Sequence, residues 1–360
     1  MQYNWKCRNC GFSENRSQDT ELNFCPKCGV NTVSEDEETT NSEGFDRIRQ
    51  KAQKTLCASF EFEKIEGFSI ARFLHQIFKK HSWDEIEDYV SYGIPSKRPE
   101  LSEINTAWPA PWLFFRIMLV TIAAVLFCYW KADFFGKGIV LPLMIFGVIG
   151  IPFATLILFW EINIPRNISI LLLIKTMLLS GFISIAITLL MHKLVINPGD
   201  AIWAGPMEET AKGLTMLFFL KNQRYCYKIN GLLIGAAVGT GFAFIESGQY
   251  TLEYGATTMN LRAFMSPFAH IPWSAMVGFA LWRTCRNKAI NFSNLKDRKF
   301  IALFVSAVLM HMFWNSRLLS DELIIKTAII AVIEYTIIIY MIQEGINEIR
   351  NLKNPPLPNS

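Results

Sequence analysis

Residues 231–246 read "GLLIGAAVGTGFAFIE", a run of small and apolar side chains that closes on a glutamate. The run lies inside an apolar window of residues 229–247, and a helix needs about 20 such residues to cross about 30 Å of hydrocarbon. Its glycines let a helix come close to its neighbours, as packing between helices in a membrane requires. The stretch therefore predicts a transmembrane helix packed inside a bundle.

Similar windows follow one another along most of the chain. Beyond Pro111, long apolar runs alternate with short polar breaks. The candidate spans are residues 112–130, 138–160, 168–190, 201–220, 229–247, 262–282, 300–318 and 323–343. The composition of the 360 residues agrees, with 51% hydrophobic and only 18% charged residues. We therefore expect an all-α polytopic membrane protein with about eight transmembrane helices.

The chain divides near residue 110 into a polar part and this membrane part. The polar part is predicted to contain a small ribbon at residues 1–33, an acidic linker at 34–46 and a cytosolic helical segment at 47–110. The transmembrane domain is expected at residues 111–345, and a cytosolic tail at 346–360.

Four cysteines at the start of the chain form two C-x2-C pairs. They are Cys7, Cys10, Cys25 and Cys28, with fourteen residues between the pairs. This spacing is typical of a tetrahedral zinc ribbon, and four thiolate ligands make it a structural site, since no position stays open for catalysis. The first residues lack the basic and apolar regions of a signal peptide, so we expect the ribbon in the reducing cytosol.

Basic residues in the loops predict the orientation. With the N-terminus inside, the inner loops and the tail carry about twice as many Lys and Arg residues as the outer loops. This favours cytoplasmic N- and C-termini in the plasma membrane of a prokaryote. The net charge of +4 is modest and belongs to loops beside apolar segments, so nucleic acid is not expected as a partner.

Ionisable residues occur inside several apolar windows. Such groups are costly in a membrane, and they mark functional sites or compensated pairs. If the windows are continuous helices, Glu208, His270 and His311 fall roughly 10 to 12 Å below the outer surface, with Glu246 slightly higher. Four helices would then carry an acid or an imidazole at one depth. A catalytic site and a proton- or metal-coupled transporter both fit this pattern.

Residues within one helix can be sorted by the face they share. Glu208 and Glu209 lie about 100° apart, so one is expected to face the site and the other a neighbouring helix, backbone N–H groups or Lys212. His311 and Asn315, four residues apart, share a face. A further acid, Glu334, could pair with Lys175 or Arg116.

Four motifs in this order resemble those of the PrsW family of intramembrane proteases. They are "EETAK" at 208–212, "FAFIE" at 242–246, "RAFMSPFAHIPWSAMVG" at 262–278 and "HMFWN" at 311–315. The family belongs to a clan with the type II CAAX prenyl proteases, and the resemblance covers about residues 138–343. It implies hydrolysis of a peptide bond within or near the membrane. The catalytic residues that it implies are Glu208, Glu209, Glu246, His270, His311 and Asn315.

Two chemistries stay open for this implied protease. In one, Glu208 or Glu209 is the general base, and His311 with Asn315 forms the oxyanion hole. In the other, His270, His311 and a carboxylate bind a second zinc ion, although the sequence contains no HExxH motif.

The expected depth of the site indicates the class of substrate. A site in the outer half of the bilayer suits a single-span membrane protein cut near its extracytoplasmic side, as in site-1-type proteolysis. The zinc ribbon would then dock a regulatory protein or a substrate tail in the cytosol. A CAAX-type protease acting on prenylated proteins is the alternative enzyme.

Overall fold

The computed structural model describes residues 2–6, 13–17, 50–194, 201–220, 225–285 and 295–355. The chain forms two compact units, Met1–Ala58 and Ser59–Ser360. In the first unit, strand β1 (Gln2–Lys6) pairs antiparallel with strand β2 (Ser13–Ser17). The predicted zinc ligands Cys7, Cys10, Cys25 and Cys28 and the predicted linker 34–46 lie outside the described residues, so the ribbon stays a prediction.

The polar part continues with short helices. Helix α1 covers residues 50–60, and α2 (Ile70–Leu74) and α3 (Trp83–Val90) follow. Helix α3 begins with a capping box, in which the Ser82 side chain accepts the Glu85 N–H and the Glu85 side chain accepts the Ser82 N–H. Two 3-10 turns, Pro95–Lys97 and Leu101–Glu103, lead into the membrane part.

The regular secondary structure among the described residues of the membrane part is all helical, which confirms the all-α prediction for this region. Its helices are α4 (Leu113–Trp130), α5 (Ala132–Phe135), α6 (Val140–Leu143), α7 (Ile151–Ile162), α8 (Ile170–Leu194), α9 (Ala204–Leu220), α10 (Lys228–Tyr254), α11 (Ala256–Met265), α12 (His270–Cys285), α13 (Arg298–Asn315) and α14 (Leu323–Lys353). A 3-10 turn, Gly136–Ile139, precedes α6, and a π-helical stretch, Met144–Gly150, joins α6 to α7.

Five helical segments of the described chain are long and apolar enough to cross a membrane. They are Leu113–Trp130, Val140–Ile162, Ile170–Leu194, Lys228–Tyr254 and Leu323–Lys353. The other three predicted windows are also helical, but α9 has 17 residues and α12 has 16, while α13 has 18 and begins with two basic residues. The protein is therefore an integral membrane protein with five candidate spans, and the count of eight stays a prediction.

The window of residues 262–282 is not one helix, so that prediction was wrong. Helix α11 ends at Met265, a 3-10 turn covers Ser266–Phe268, and α12 begins at His270. Pro267 explains the break, because a proline has no N–H to donate and disfavours helical backbone at the residue before it. His270 therefore lies at a helix N-terminus and not eight residues inside a continuous span.

Helix α10 lies at the centre of the bundle, and the predicted close approach of its glycines is confirmed. A Cβ added at Gly235 would lie 2.1 Å from the Ser274 carbonyl oxygen of α12, and one added at Gly239 would lie 2.3 Å from the His270 carbonyl oxygen. Real Cβ atoms essentially never come this close to other atoms. The backbones of α10 and α12 are thus in direct contact along the segment that leads to His270.

Candidate active site

Five of the six predicted site residues converge near the end of α10 that contains Glu246. Glu208 and Glu209 come from α9, His270 from α12 and His311 from α13. The exposed fractions are 6% for Glu208, 0% for Glu209, 6% for His270 and 2% for His311, and 14% for the Glu246 side chain. These residues form a buried polar cluster between apolar helices, although the expected depth of His270 was counted along a helix that the structure breaks at Ser266–Phe268.

Three of these side chains form a candidate metal site. Glu208, His270 and His311 each offer one ligand atom, and these atoms lie within 4.8 Å of one another. Glu208 Oε2 is 4.0 Å from His270 Nδ1 and 3.7 Å from His311 Nε2. A carboxylate oxygen and two imidazole nitrogens are common ligands of divalent metals such as zinc. Among the described residues, this is the group of side chains whose composition and spacing could hold a metal ion.

The remaining two glutamates contact the opposite nitrogens of the two imidazoles. His270 Nε2 lies 2.9 Å from Glu246 Oε2, and His311 Nδ1 lies 2.9 Å from Glu209 Oε1. A carboxylate at that distance favours the tautomer whose N–H points toward it. The lone pairs of His270 Nδ1 and His311 Nε2 are then directed to the side of Glu208. Metal-binding histidines have such carboxylate partners, which orient the ring.

Lys212 is the buried cation of the cluster, with an exposed fraction of 0%. Its Nζ lies 2.5 Å from Glu209 Oε1 and 3.1 Å from His270 Nδ1, and 4.6 Å from the centre of the Phe242 ring. The prediction that Lys212 holds a glutamate is confirmed, and its partner is Glu209. The two adjacent glutamates thus differ in environment: Glu209 Oε1 contacts the Lys212 ammonium and His311 Nδ1, while Oε2 of each glutamate has no hydrogen-bond partner among the described residues.

Arg262 lies at the rim of the cluster, although the sequence predicted no role for it in the site. Its Nη2 is 2.5 Å from Glu246 Oε2, and its guanidinium stacks 4.1 Å above the centre of the Tyr250 ring. Its place at the start of the third motif, eight residues before His270, was the available signal for this contact.

Trp273 is a second residue that the sequence did not single out. Its ring centre lies 5.5 Å from that of His270 and 4.8 Å from that of His311, so the indole packs against both imidazoles. Its position one turn after His270 on the same helix was the available signal.

Asn315 is the predicted site residue whose side chain is bound elsewhere. Its Nδ2 donates to the carbonyl of Ala201, at 3.1 Å, one turn beyond His311 on α13. This contact ties the end of α13 to the residues before α9, and the role of Asn315 in an oxyanion hole stays a prediction.

Glu334 does not form the pair suggested from the sequence. In the part of the chain that the structure describes, its carboxyl group has no hydrogen-bond partner of normal geometry, and Lys175 is exposed. Arg116 donates to the Lys79 carbonyl, at 2.6 Å. Glu334 is itself 0% exposed, so its carboxyl group cannot reach solvent.

Comparisons with known proteins concern the same region. A family model described as "PrsW family intramembrane metalloprotease" matches residues 138–342, which is more than half of the chain. Over 157 residues the chain is 23% identical to the Protease PrsW of Halalkalibacterium halodurans, an alignment that covers 41% of this chain and 69% of that protein. No solved structure matches the chain. All the clustered side chains lie inside the matched residues.

Proposed function

Because the chain belongs to the PrsW family and is a membrane protease, we propose that it cleaves a single-span membrane protein in or near the outer half of the bilayer. The observation that supports this most is the buried constellation of Glu208, His270 and His311, in which each of the two histidines is oriented by a carboxylate. Such a constellation suits hydrolysis, because it combines metal ligands or a general base with a nearby buried cation. The cleavage would be of the site-1 type, on an extracytoplasmic juxtamembrane segment.

The side of the membrane is inferred from the ends of the helices. Helix α10 begins at Lys228 and reaches Glu246 eighteen residues later, which is about 27 Å along its axis. Helix α12 runs back from His270 to Cys285 and carries Arg283 in its last turn. The basic residues Lys228 and Arg283 are therefore remote from the site, and the positive-inside rule makes their end cytoplasmic. On this topology the eight helices all span, both termini are cytoplasmic, and the site lies toward the outside.

The donor atoms fit a catalytic zinc ion held by Glu208, His270 and His311. Binding through His270 Nδ1 would require the Lys212 ammonium, 3.1 Å from this nitrogen, to give up that contact and keep the one to Glu209. Two histidines and one carboxylate are a known ligand set of zinc hydrolases, and three protein ligands leave a fourth position open. Zinc bound there would supply an acidified water molecule as the nucleophile. The unpartnered Glu208 Oε2 supports this assignment, since a buried carboxylate oxygen without a partner is costly to maintain.

The residues around these donors have separate tasks in the proposal. Glu246 and Glu209 hold the two imidazoles in the tautomers that direct the other nitrogens to Glu208. Lys212 compensates the charge of Glu209 and is the buried cation placed to stabilise negative charge that develops in the reaction. Arg262 compensates Glu246 at the rim, where a substrate would enter.

A metal-free chemistry is the second candidate, and the same unpartnered Glu208 oxygen favours it. Glu208 would then take a proton from water, with His270 and His311 beside it. In both chemistries Glu208 faces the reaction and Glu209 supports a histidine.

The N-terminal part has a proposed role of its own. We expect residues 1–33 to hold a structural zinc ion through Cys7, Cys10, Cys25 and Cys28, and to dock a regulatory protein or a substrate tail in the cytosol. Loss of zinc from the protein after a Cys7→Ser and Cys10→Ser double substitution would test the first point.

The proposal is tested with single alanine substitutions in the purified full chain. Glu208→Ala, His270→Ala and His311→Ala are expected to abolish cleavage of a tagged single-span reporter that the wild-type protein cuts. His75→Ala is the matched control, because His75 is an exposed histidine outside the bundle. Retained cleavage in all three site variants would defeat the assignment.

A chelator separates the two chemistries. If zinc acts at the membrane site, phenanthroline stops cleavage both in the wild type and in the ribbon double variant, and added zinc restores it. Cleavage that resists the chelator in both proteins would favour Glu208 as a metal-free base.

A further inference from the structure

Helix α14 carries a buried carboxyl group that the proposed chemistry does not use. Glu334 is 0% exposed, and neither of its oxygens has a hydrogen-bond partner of normal geometry among the described residues. No cation contacts it there either. A carboxyl group in such surroundings is costly, and an apolar residue of similar size would pack without that cost. Its presence therefore needs a reason beyond packing.

Within the described ranges, Trp273 is the side chain that interacts with the Glu334 carboxyl, and its buried Nε1 has no other hydrogen-bond partner there. A buried indole N–H normally finds an acceptor, because leaving it unpaired forfeits a hydrogen bond that water would otherwise provide. The two unpaired groups are thus complementary, one a donor and the other an acceptor. The Trp273 N–H can therefore donate a hydrogen bond to the Glu334 carboxyl group.

Trp273 connects this pair to the active site. Its ring packs against both His270 and His311, with ring centres 5.5 Å and 4.8 Å away. The indole therefore interacts with Glu334 through its N–H, while its ring packs against the two imidazoles. A tilt of the indole would therefore change its packing against both imidazole rings.

The backbone of α14 is held firmly enough to act as a support. The Tyr335 hydroxyl donates to the Pro267 carbonyl, at 2.8 Å, and the Thr327 hydroxyl contacts Met265 Sδ, at 3.3 Å. Both partners lie in the turn or helix just before His270. Helix α14 thus braces the entry to α12 on one side, and Glu334 reaches the same helix one turn further on.

We propose that Glu334 is a positioning residue that accepts the Trp273 N–H and so fixes the indole against His270 and His311. The role requires a hydrogen-bond acceptor and not a charge, so an amide side chain in place of the carboxyl group should preserve it. The inference deepens the proposed function and rests on it, because the two imidazoles are taken to be catalytic. A residue of this kind typically contributes about 10- to 100-fold to activity or metal affinity.

The test compares four variants of the full chain: Trp273→Phe, Glu334→Leu, their double variant and Glu334→Gln. Trp273→Phe and Glu334→Leu should each lower kcat about 10-fold for the single-span reporter, with KM changed less than about 2-fold. The double variant should be no slower than either single one, because both remove the same interaction. Glu334→Gln should retain at least half of the wild-type kcat, since its amide oxygen still accepts the N–H.

Thr336→Val is the matched control on the same helix. Its exposed hydroxyl bonds only to the Val332 carbonyl one turn earlier, so kcat should be unchanged. The melting temperature of every variant is measured in parallel, because a merely structural role would lower Tm without a selective loss of kcat.

Three results would overturn the inference: additive losses in the double variant, a Glu334→Gln variant as slow as Glu334→Leu, or a fall in Tm alone. These are distinct from failure of the proposed function. If His270→Ala keeps cleaving, the active site itself is wrongly assigned. If His270→Ala is inactive while Trp273→Phe and Glu334→Leu are normal, only the role of Glu334 is refuted.

Discussion

Gly239→Ala is the substitution that best tests how the fold positions the active site. Gly239 lies on α10, and a Cβ there would be 2.3 Å from the His270 carbonyl oxygen and 2.9 Å from Ile271 Cα. Because real Cβ atoms essentially never approach closer than 3.0 Å, the two backbones must separate by at least 0.7 Å, the difference between 3.0 and 2.3 Å. Neither neighbour is the end of a flexible side chain, so local rearrangement cannot relieve the contact.

The shift would act directly on the catalytic geometry. His270 is the first residue of α12, so a displacement of its backbone moves the imidazole relative to Glu246 Oε2, now 2.9 Å from Nε2. A misplacement of about 1 Å can cost about 100-fold in rate, so we expect kcat to fall roughly 30- to 100-fold. Overpacking of this kind also lowers the free energy of unfolding by about 1–3 kcal/mol.

The assay uses purified full-length protein and the single-span reporter, with kcat and Tm measured together. Gly248→Ala is the control on the same helix, because a Cβ there would have nothing within 4 Å. It should keep the wild-type kcat. A kcat of Gly239→Ala within about 2-fold of the control, in a correctly folded protein, would refute the view that backbone contact between α10 and α12 positions His270.

Three further predictions concern the charges and the metal. Lys212→Met leaves the buried Glu209 without its cation, so the free energy of unfolding should fall by about 3–5 kcal/mol. Adding Glu209→Gln should recover part of this loss. A thermal melt unchanged by Lys212→Met would contradict the prediction. Arg262→Gln removes the cation next to Glu246 and should lower kcat about 10-fold, while Tm stays within a few degrees. Kinetics on the reporter would check this. An unaltered kcat would show that Arg262 has no part in the site. Removal of zinc by dialysis against phenanthroline should abolish cleavage, and one equivalent of zinc beyond that taken up by the ribbon should restore it. Metal content and cleavage rate are measured on the same samples. Full activity of the zinc-free protein would exclude the metal site.

Most of the bundle could be predicted from local sequence. Apolar windows of about 20 residues determine helices wherever they occur, because the backbone in hydrocarbon must satisfy its own hydrogen bonds. The glycines of α10 predicted its close packing, and the spacing of Glu209 and Lys212 allowed the buried ion pair. The break before His270 was missed because the count of apolar residues outweighed Pro267, whose missing N–H ends the helix there.

By itself, then, the sequence determined most of the helices and most of the ionisable groups that meet between them, but neither the break before His270 nor the contacts of Arg262 and Trp273. Only the tertiary structure decided the partners of these groups on other helices, because Glu209 contacts His311, 102 residues away, and Lys212 contacts His270, 58 residues away. It also decided that Asn315 binds the Ala201 carbonyl and that Trp273 supports both imidazoles. The physical reason is that the period of a helix orders neighbours three and four residues apart, whereas partners on other helices depend on how the bundle packs.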